Sequence, residues 1–384
     1  MKNFTVVIIG SAWPLRGGLA AYNERLAREF QHSDCTVTIE TFTLQYPKFL
    51  FPGKTQYADW EAPADLRINA SINSINPINW IKVGCRLRRA KPDLVIIKYW
   101  LPFMGPCFGT LGRMIKRNRH SKVVSILDNI IPHEKRPGDR AFTRYFIKPV
   151  DGFVAMSESV IEDIGQFNRE KPRRYCPHPL YDHFGEKIDK TEAKKYLGLD
   201  PGTQYILFFG FIREYKGLDL LIRAMASKEF SQTDVSLIIA GEFYTDATPY
   251  MNLIKEHKLT DRIVLHKDFI PDFEVKYYFS ASDLVVQPYR SATQSGISQI
   301  AYHFDKPMVV TNVGGLPEIV PDRRAGFVVN REPDEIARAI SEFYERNLEE
   351  SFSANVAIEK KKFGWDRMVR NIFELIGRNL EPEK

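Results

Sequence analysis

Cysteine is scarce in this chain: Cys35, Cys85, Cys107 and Cys176 stand far apart, with no Cys-x-x-Cys pair and no histidine at zinc-ligand spacing. That argues against a disulfide framework or a zinc module, and a reducing cytoplasm is the expected compartment. No run of about 18 consecutive apolar residues occurs, so no helix is expected to span a bilayer. The amino terminus, Met1 to Gly10, has too short an apolar stretch for a secretory signal and reads as a buried first strand. Nowhere is there an Asp-x-Asp pair, which removes a common way of holding a divalent ion on a diphosphate. Gly10 is followed by Ser11-Ala12-Trp13 rather than Gly-x-x-Gly, which argues against a dinucleotide-dependent dehydrogenase. The formal net charge of +6 is modest for 384 residues, and no nucleic-acid partner is expected.

What is present fits a soluble α/β protein. Hydrophobic residues make up 44% and charged residues 27% of a chain long enough for two cores. The two halves open alike. Thr5 to Gly10 is a strand leading through Gly17-Gly18 into a helical pattern from Leu19 to Phe30, and Tyr205 to Gly210 leads into Leu218 to Met225. Further short apolar runs follow at Thr36 to Phe42, Leu94 to Lys98, Lys122 to Leu127 and Gly152 to Met156. In the second half they stand at Val235 to Ala240, Arg262 to Leu265, Asp283 to Val286, Pro307 to Thr311 and Gly326 to Val329. Alternating with helical patterns, they predict parallel sheets wound on both faces. Arg173 to Asp189, punctuated by Pro177, Pro179 and Gly185, is the expected linker, and Gln45 to Trp80 reads as an irregular excursion. The domains are therefore expected at 1–180 and 181–364.

Phe208-Phe209-Gly210 followed by Arg213 and Lys216 carries the most chemistry. A strand turns at a glycine and presents two cations just before a helix, where open α/β sheets bind ligands and where free amide groups favour a phosphate. Solvated loop charge is the plain alternative. Cations also cluster as Arg86, Arg88, Arg89 and Lys91, and as Arg113, Lys116, Arg117, Arg119 and Lys122. These are either solvated helix faces or a surface for anionic lipid or an acidic acceptor.

Ser280 to Tyr302, then Lys306-Pro307-Met308-Val309-Val310-Thr311 and Gly314-Gly315-Leu316-Pro317-Glu318, complete an order that resembles the carboxyl-terminal domain of family-4 glycosyltransferases (glycosyl transferases group 1). The resemblance runs through most of residues 150–375. It implies the GT-B fold, two Rossmann-like doubly wound domains facing across a cleft, with a final helix, 365–384, returning to the first domain. It also implies a retaining transfer from a nucleoside diphosphate sugar to a hydroxyl on a glycan or lipid-linked precursor, with no cofactor. The missing Asp-x-Asp pair adds the expectation that the transfer is metal-independent. The scarce cysteines and the cation clusters add, independently of the resemblance, an expected place in the cytoplasm or at the inner face of a membrane, with peripheral contact to anionic lipid.

On this resemblance Arg213 and Lys216 meet the leaving diphosphate. Gly17, Gly18, Gly210, Gln294, Ser295, Gly296 and Gln299 line the nucleotide sugar, Gly17-Gly18 being equally explained as a turn needing positive φ. Two departures stand out. The family's paired glutamates fall near Ala292 and Ile300, leaving Gln294 and Gln299 as the nearest polar side chains, and Phe211 fills the usual arginine slot. Where the family places a histidine after the fifth strand, this chain has Asp128, a candidate general base or a turn cap. Asn129, His133 and Glu134 beside it are candidate sugar or acceptor contacts. If Asp128 is a base, Asp128→Asn is expected to abolish turnover and spare stability. The absent glutamates motivate a second reading, a catalytically weak nucleotide-sugar-binding partner or regulatory subunit.

Overall fold

The computed structural model describes residues 4–47, 55–132, 136–230 and 234–378. Contacts cluster in two compact units, one of Met1–His178 with Gly364–Lys384 and one of Pro179–Phe363.

The first unit runs β1 (Phe4–Ile9), α1 (Gly18–His32), β2 (Cys35–Leu44), β3 (Ile68–Asn73), α2 (Pro77–Ala90), β4 (Leu94–Tyr99), α3 (Gly105–Lys116), β5 (Lys122–Leu127), α4 (Asp139–Ile147), β6 (Gly152–Ala155), α5 (Glu158–Gly165) and β7 (Arg173–Tyr175). The seven strands lie in the order β3-β2-β1-β4-β5-β6-β7 and pair in parallel. Central strands such as β4 are buried along their whole length, which is why they read as continuous apolar runs. The strand order reverses at β1. Right-handed crossovers therefore put α1 on one face and send α2 to α5 over the other. Val83, Leu87, Phe108, Leu111, Phe146 and Ile164 share one core beneath that second face.

In the second unit α6 (Lys190–Tyr196) precedes β8 (Gln204–Phe209), α7 (Leu218–Met225), β9 (Val235–Ala240), α8 (Thr248–Glu256), β10 (Ile263–His266), α9 (Asp272–Ala281) and β11 (Leu284–Gln287). It continues through α10 (Gly296–His303), β12 (Met308–Thr311), α11 (Leu316–Ile319), β13 (Gly326–Val329), α12 (Pro333–Glu345) and α13 (Glu349–Glu359). Six parallel strands lie in the order β10-β9-β8-β11-β12-β13. The last helix, α14 (Trp365–Leu375), belongs to the first unit. Trp365 meets Tyr22 with ring centroids 5.0 Å apart, and Phe373 packs edge-on to Phe4 and Phe30.

Three local features depart from the sequence reading. β3 lies inside the stretch read as irregular, and β7 lies at the start of the expected linker. Arg86 is not a free surface cation: its guanidinium donates to both oxygens of the buried Glu40, at 2.8 and 2.6 Å. Among the described residues no helix is long and apolar enough to cross a membrane.

Candidate functional site

Gly210 ends β8 with φ +92, a conformation that glycine adopts without strain. A Cβ there would stand 3.2 Å from Lys216 Nζ and 3.0 Å from Ile297 Cδ1, so this turn brings the β8–α7 and β11–α10 connections together. A single 3₁₀ turn, Glu214–Lys216, follows, and Gly217 at φ +66 redirects the chain into α7. Arg213 stays exposed, its guanidinium 5.0 Å from the centre of the Tyr244 ring. Lys216 does not lie in open solvent as its loop position predicts. It is 8% exposed, with Nζ 5.6 Å from the Tyr289 ring centre.

No carboxylate among the described residues forms an ion pair with Lys216. Burial, then the nearby Arg213, lowers its pKa from 10.5 to about 7. A buried ammonium beside a second cation is an unbalanced positive charge, and such a charge is stabilised by an incoming anion.

Ser295 caps α10: its Oγ accepts from Ser298 N at 3.4 Å and donates to Gln287 Oε1 at 2.6 Å. That hydroxyl is therefore occupied in positioning the helix start. Gly296 leaves no space for a side chain, since a Cβ would sit 2.8 Å from Tyr181 Cε2. Gln294 precedes the cap and is half-buried. Gln299 lies on the inner side of α10, 0% exposed, and both amide atoms lack a hydrogen-bond partner. Ala292 and Ile300, where the family carries its glutamates, are buried apolar positions.

In the first unit, Gly17 caps α1 at φ +99, with nothing within 4 Å of an added Cβ, so backbone conformation alone explains glycine there. Gly18 opens the helix. Asp128 follows β5 at the carboxyl end of the sheet, and its Oδ1 lies 2.7 Å from Nζ of Lys98. Sequence reading missed Lys98. It is fully buried near the end of β4, with Nζ 3.5 Å from the Tyr22 ring centre. Burial lowers its pKa, and Asp128 acts in the opposite direction. The available signal was a lone charge inside the apolar run Leu94-Val95-Ile96-Ile97-Lys98-Tyr99. Asp128 thus has a buried lysine as a partner, whichever of the two expected roles it serves. Asn129 is half-buried beside it, its Oδ1 without a partner. His133 and Glu134 lie outside the described residues.

A family model for glycosyl transferases group 1 matches residues 189–360. Residues 189–360 belong to that family. This group 1 segment contains Arg213, Lys216 and the whole of Gln294 to Gln299. Among curated relatives, the lipopolysaccharide core biosynthesis mannosyltransferase LpsB of Rhizobium meliloti (strain 1021) is 34% identical over 186 residues, 47% of this chain and 50% of that protein. A D-inositol 3-phosphate glycosyltransferase of Paenarthrobacter aurescens (strain TC1) is 27% identical over 212 residues, 49% of this chain and 52% of that one. The chain thus spans about half the length of these relatives.

Solved structures align over nearly the whole chain. Sucrose-phosphate synthase from Thermosynechococcus elongatus superposes with TM-score 0.76 at 15% identity, covering 98% of both chains. Anabaena HepE in complex with UDP and glucose gives TM-score 0.73 at 16% identity, covering 98% of this chain and 100% of that one. The fold is GT-B.

Proposed function

We propose that this chain is a glycosyltransferase that moves a sugar from a nucleoside diphosphate sugar to a hydroxyl on a glycan or lipid-linked precursor. The observation that carries the reading is Lys216, a buried ammonium with no carboxylate partner among the described residues, seated beside Gly210 with Arg213 nearby. In the transfer the bond from the anomeric carbon to the diphosphate breaks, the acceptor oxygen bonds to that carbon, and negative charge grows on the leaving diphosphate. Lys216 and Arg213 meet that charge in a preorganised site. Asp128, fixed in direction by Lys98, accepts a hydrogen bond from a sugar or acceptor hydroxyl, while the acceptor proton leaves on the diphosphate. Retention of configuration follows from the group 1 resemblance. A lipid-linked acceptor would place the reaction at the cytoplasmic face of a membrane.

The buried apolar side chains of Ala292 and Ile300 and the interior Gln299 favour one other reading, a partner that binds nucleotide sugar and transfers it weakly. A panel of nucleotide sugars, read by thermal shift and by nucleotide released with and without chelator, separates the two. The enzyme reading expects a shift with one donor and turnover that survives chelator, since cationic side chains take a metal's place. Binding without turnover toward any acceptor supports the partner. Turnover that collapses with chelator and returns with magnesium or manganese contradicts the role given to Arg213 and Lys216.

A further inference from the structure

Residues 77–150 hold 16 Lys and Arg against four Asp and Glu, a surplus of twelve in a chain whose whole surplus is six. The rest of the chain is therefore net acidic. The topology concentrates the excess further, because α2, α3 and α4 lie side by side on one face of the first sheet. Lys82 and Arg89 on α2, Arg117 after α3, and Arg140, Arg144 and Lys148 along α4 are exposed. Arg86 is set aside by its pairing with Glu40. The strip ends at α5, whose exposed Glu158 and Glu162 reverse the sign.

Two features distinguish this face from a merely solvated one. Aliphatic and aromatic side chains stand exposed on the same helix layer as the cations: Ile78, 67% exposed, with Ile75 and Ile81 around the start of α2, and Phe142 and Tyr145 on α4. Between α3 and α4 an open cavity of ≈ 540 Å³ is lined by Arg113, Lys116, Arg117, Lys148 and Lys171. Its one carboxylate, Asp151, is held by Lys116 Nζ at 2.8 Å to each oxygen. Lys171 Nζ donates to the carbonyls of Ile147, Lys148 and Val150, and Arg113 lies over the Tyr145 ring. The side chains of Arg117 and Lys148 have neither hydrogen bond nor ion pair among the described residues, and are free to meet an anion.

We propose that the α2–α4 face docks on an anionic phospholipid bilayer, the cavity receiving a lipid phosphate and Ile78 and Ile81 entering the headgroup layer. A helix layer that exposes both cations and aliphatic side chains matches a lipid interface. Single-stranded nucleic acid is instead held on rows of aromatic stacking platforms; here Arg113 covers the Tyr145 ring, and the start of α2 offers isoleucine. The surface stands whether or not Arg213 and Lys216 serve sugar transfer, since lipid binding is read without any donor.

The test is sedimentation of the full chain with vesicles of phosphatidylcholine alone or mixed with phosphatidylglycerol, at rising salt. Binding is expected only with phosphatidylglycerol, weakening as salt rises. Arg117→Glu with Lys148→Glu should lower the bound fraction at least tenfold with an unchanged melting midpoint. Ile78→Ser with Ile81→Ser should remove what survives at higher salt. Lys255→Glu with Lys258→Glu, the same charge change on exposed positions of the second unit, should have no effect. Equal binding to both vesicle types, or undiminished binding by the Arg117/Lys148 variant, overturns the proposal. So does tighter binding to a single-stranded oligonucleotide that the same variant loses.

Discussion

A single contact, Lys98 Nζ to Asp128 Oδ1 at 2.7 Å, changes what Asp128 can do. A carboxylate in contact with a buried lysine is fixed in direction, and one of its oxygens is already engaged before any sugar arrives. The contact also changes the outcome expected of Asp128→Asn, because the amide strands Lys98 in the core. Removing one member of a buried pair costs about 3–5 kcal/mol, whereas replacing both by neutral groups of similar shape is often close to neutral. Asp128→Asn is therefore expected to lower the urea-unfolding free energy by that order. Adding Lys98→Met should recover most of the loss, though the contact with the Tyr22 ring is lost with the charge. Simple additivity of the two changes would show that the pair is not coupled. Asp128 was visible in the sequence as a polar residue at a strand end. Lys98 was visible only as a lone charge in an apolar run, and its pairing with Asp128 depends on β4 and β5 lying side by side, which the sequence does not state.

Among the elements, the legible ones were those buried on both faces. β5, β9 and β12 fall where short β-branched runs put them, because a strand covered on both sides has no polar face to confuse its pattern. β3, with Asn69 and Asn73 in a six-residue edge strand, and the three-residue β7 carry no such pattern, and pairing with a neighbour decides them. Turn glycines show the same division between local and tertiary cause. Gly198 and Gly217 share φ +66, but a Cβ on Gly198 meets nothing within 4 Å, while one on Gly217 would lie 2.0 Å from the Pro288 carbonyl oxygen. Gly198→Ala should cost about 1–2 kcal/mol, the strain of the left-handed conformation. Gly217→Ala should cost roughly 1–3 kcal/mol more and weaken nucleotide binding, because the β11–α10 connection must move. Equal melting midpoints for the two variants would contradict this account.

At the scale of the molecule, two doubly wound domains were implied by alternating strand and helix patterns, and the order of strands within each sheet was not. Order depends on crossovers between segments far apart in sequence. The charge asymmetry of residues 77–150 was likewise countable from the sequence, but only the topology puts α2, α3 and α4 on one face.

The central claim is that the second unit keeps a cation buried for a diphosphate, and such a cation acts on the whole protein's stability. Lys216 has a folded pKa of about 7 against 10.5 for the ordinary side chain. The folded state therefore carries the full cost of the charge below about pH 7, and the cost fades as pH rises toward 10.5, where the unfolded chain still holds its proton. Lys216→Met, similar in volume and uncharged, should melt no lower than wild type at pH 6.

The most direct measurement is calorimetric titration of UDP, GDP and ADP into wild type and Lys216→Met between pH 6 and pH 9, with melting curves of the free proteins. For the nucleotide that binds, affinity of wild type should fall as pH rises through about 7. The variant should bind about ten- to hundredfold more weakly at pH 6, the worth of one charge-assisted contact, with a flattened pH dependence. Wild-type affinity in Lys216→Met across that range would contradict the account.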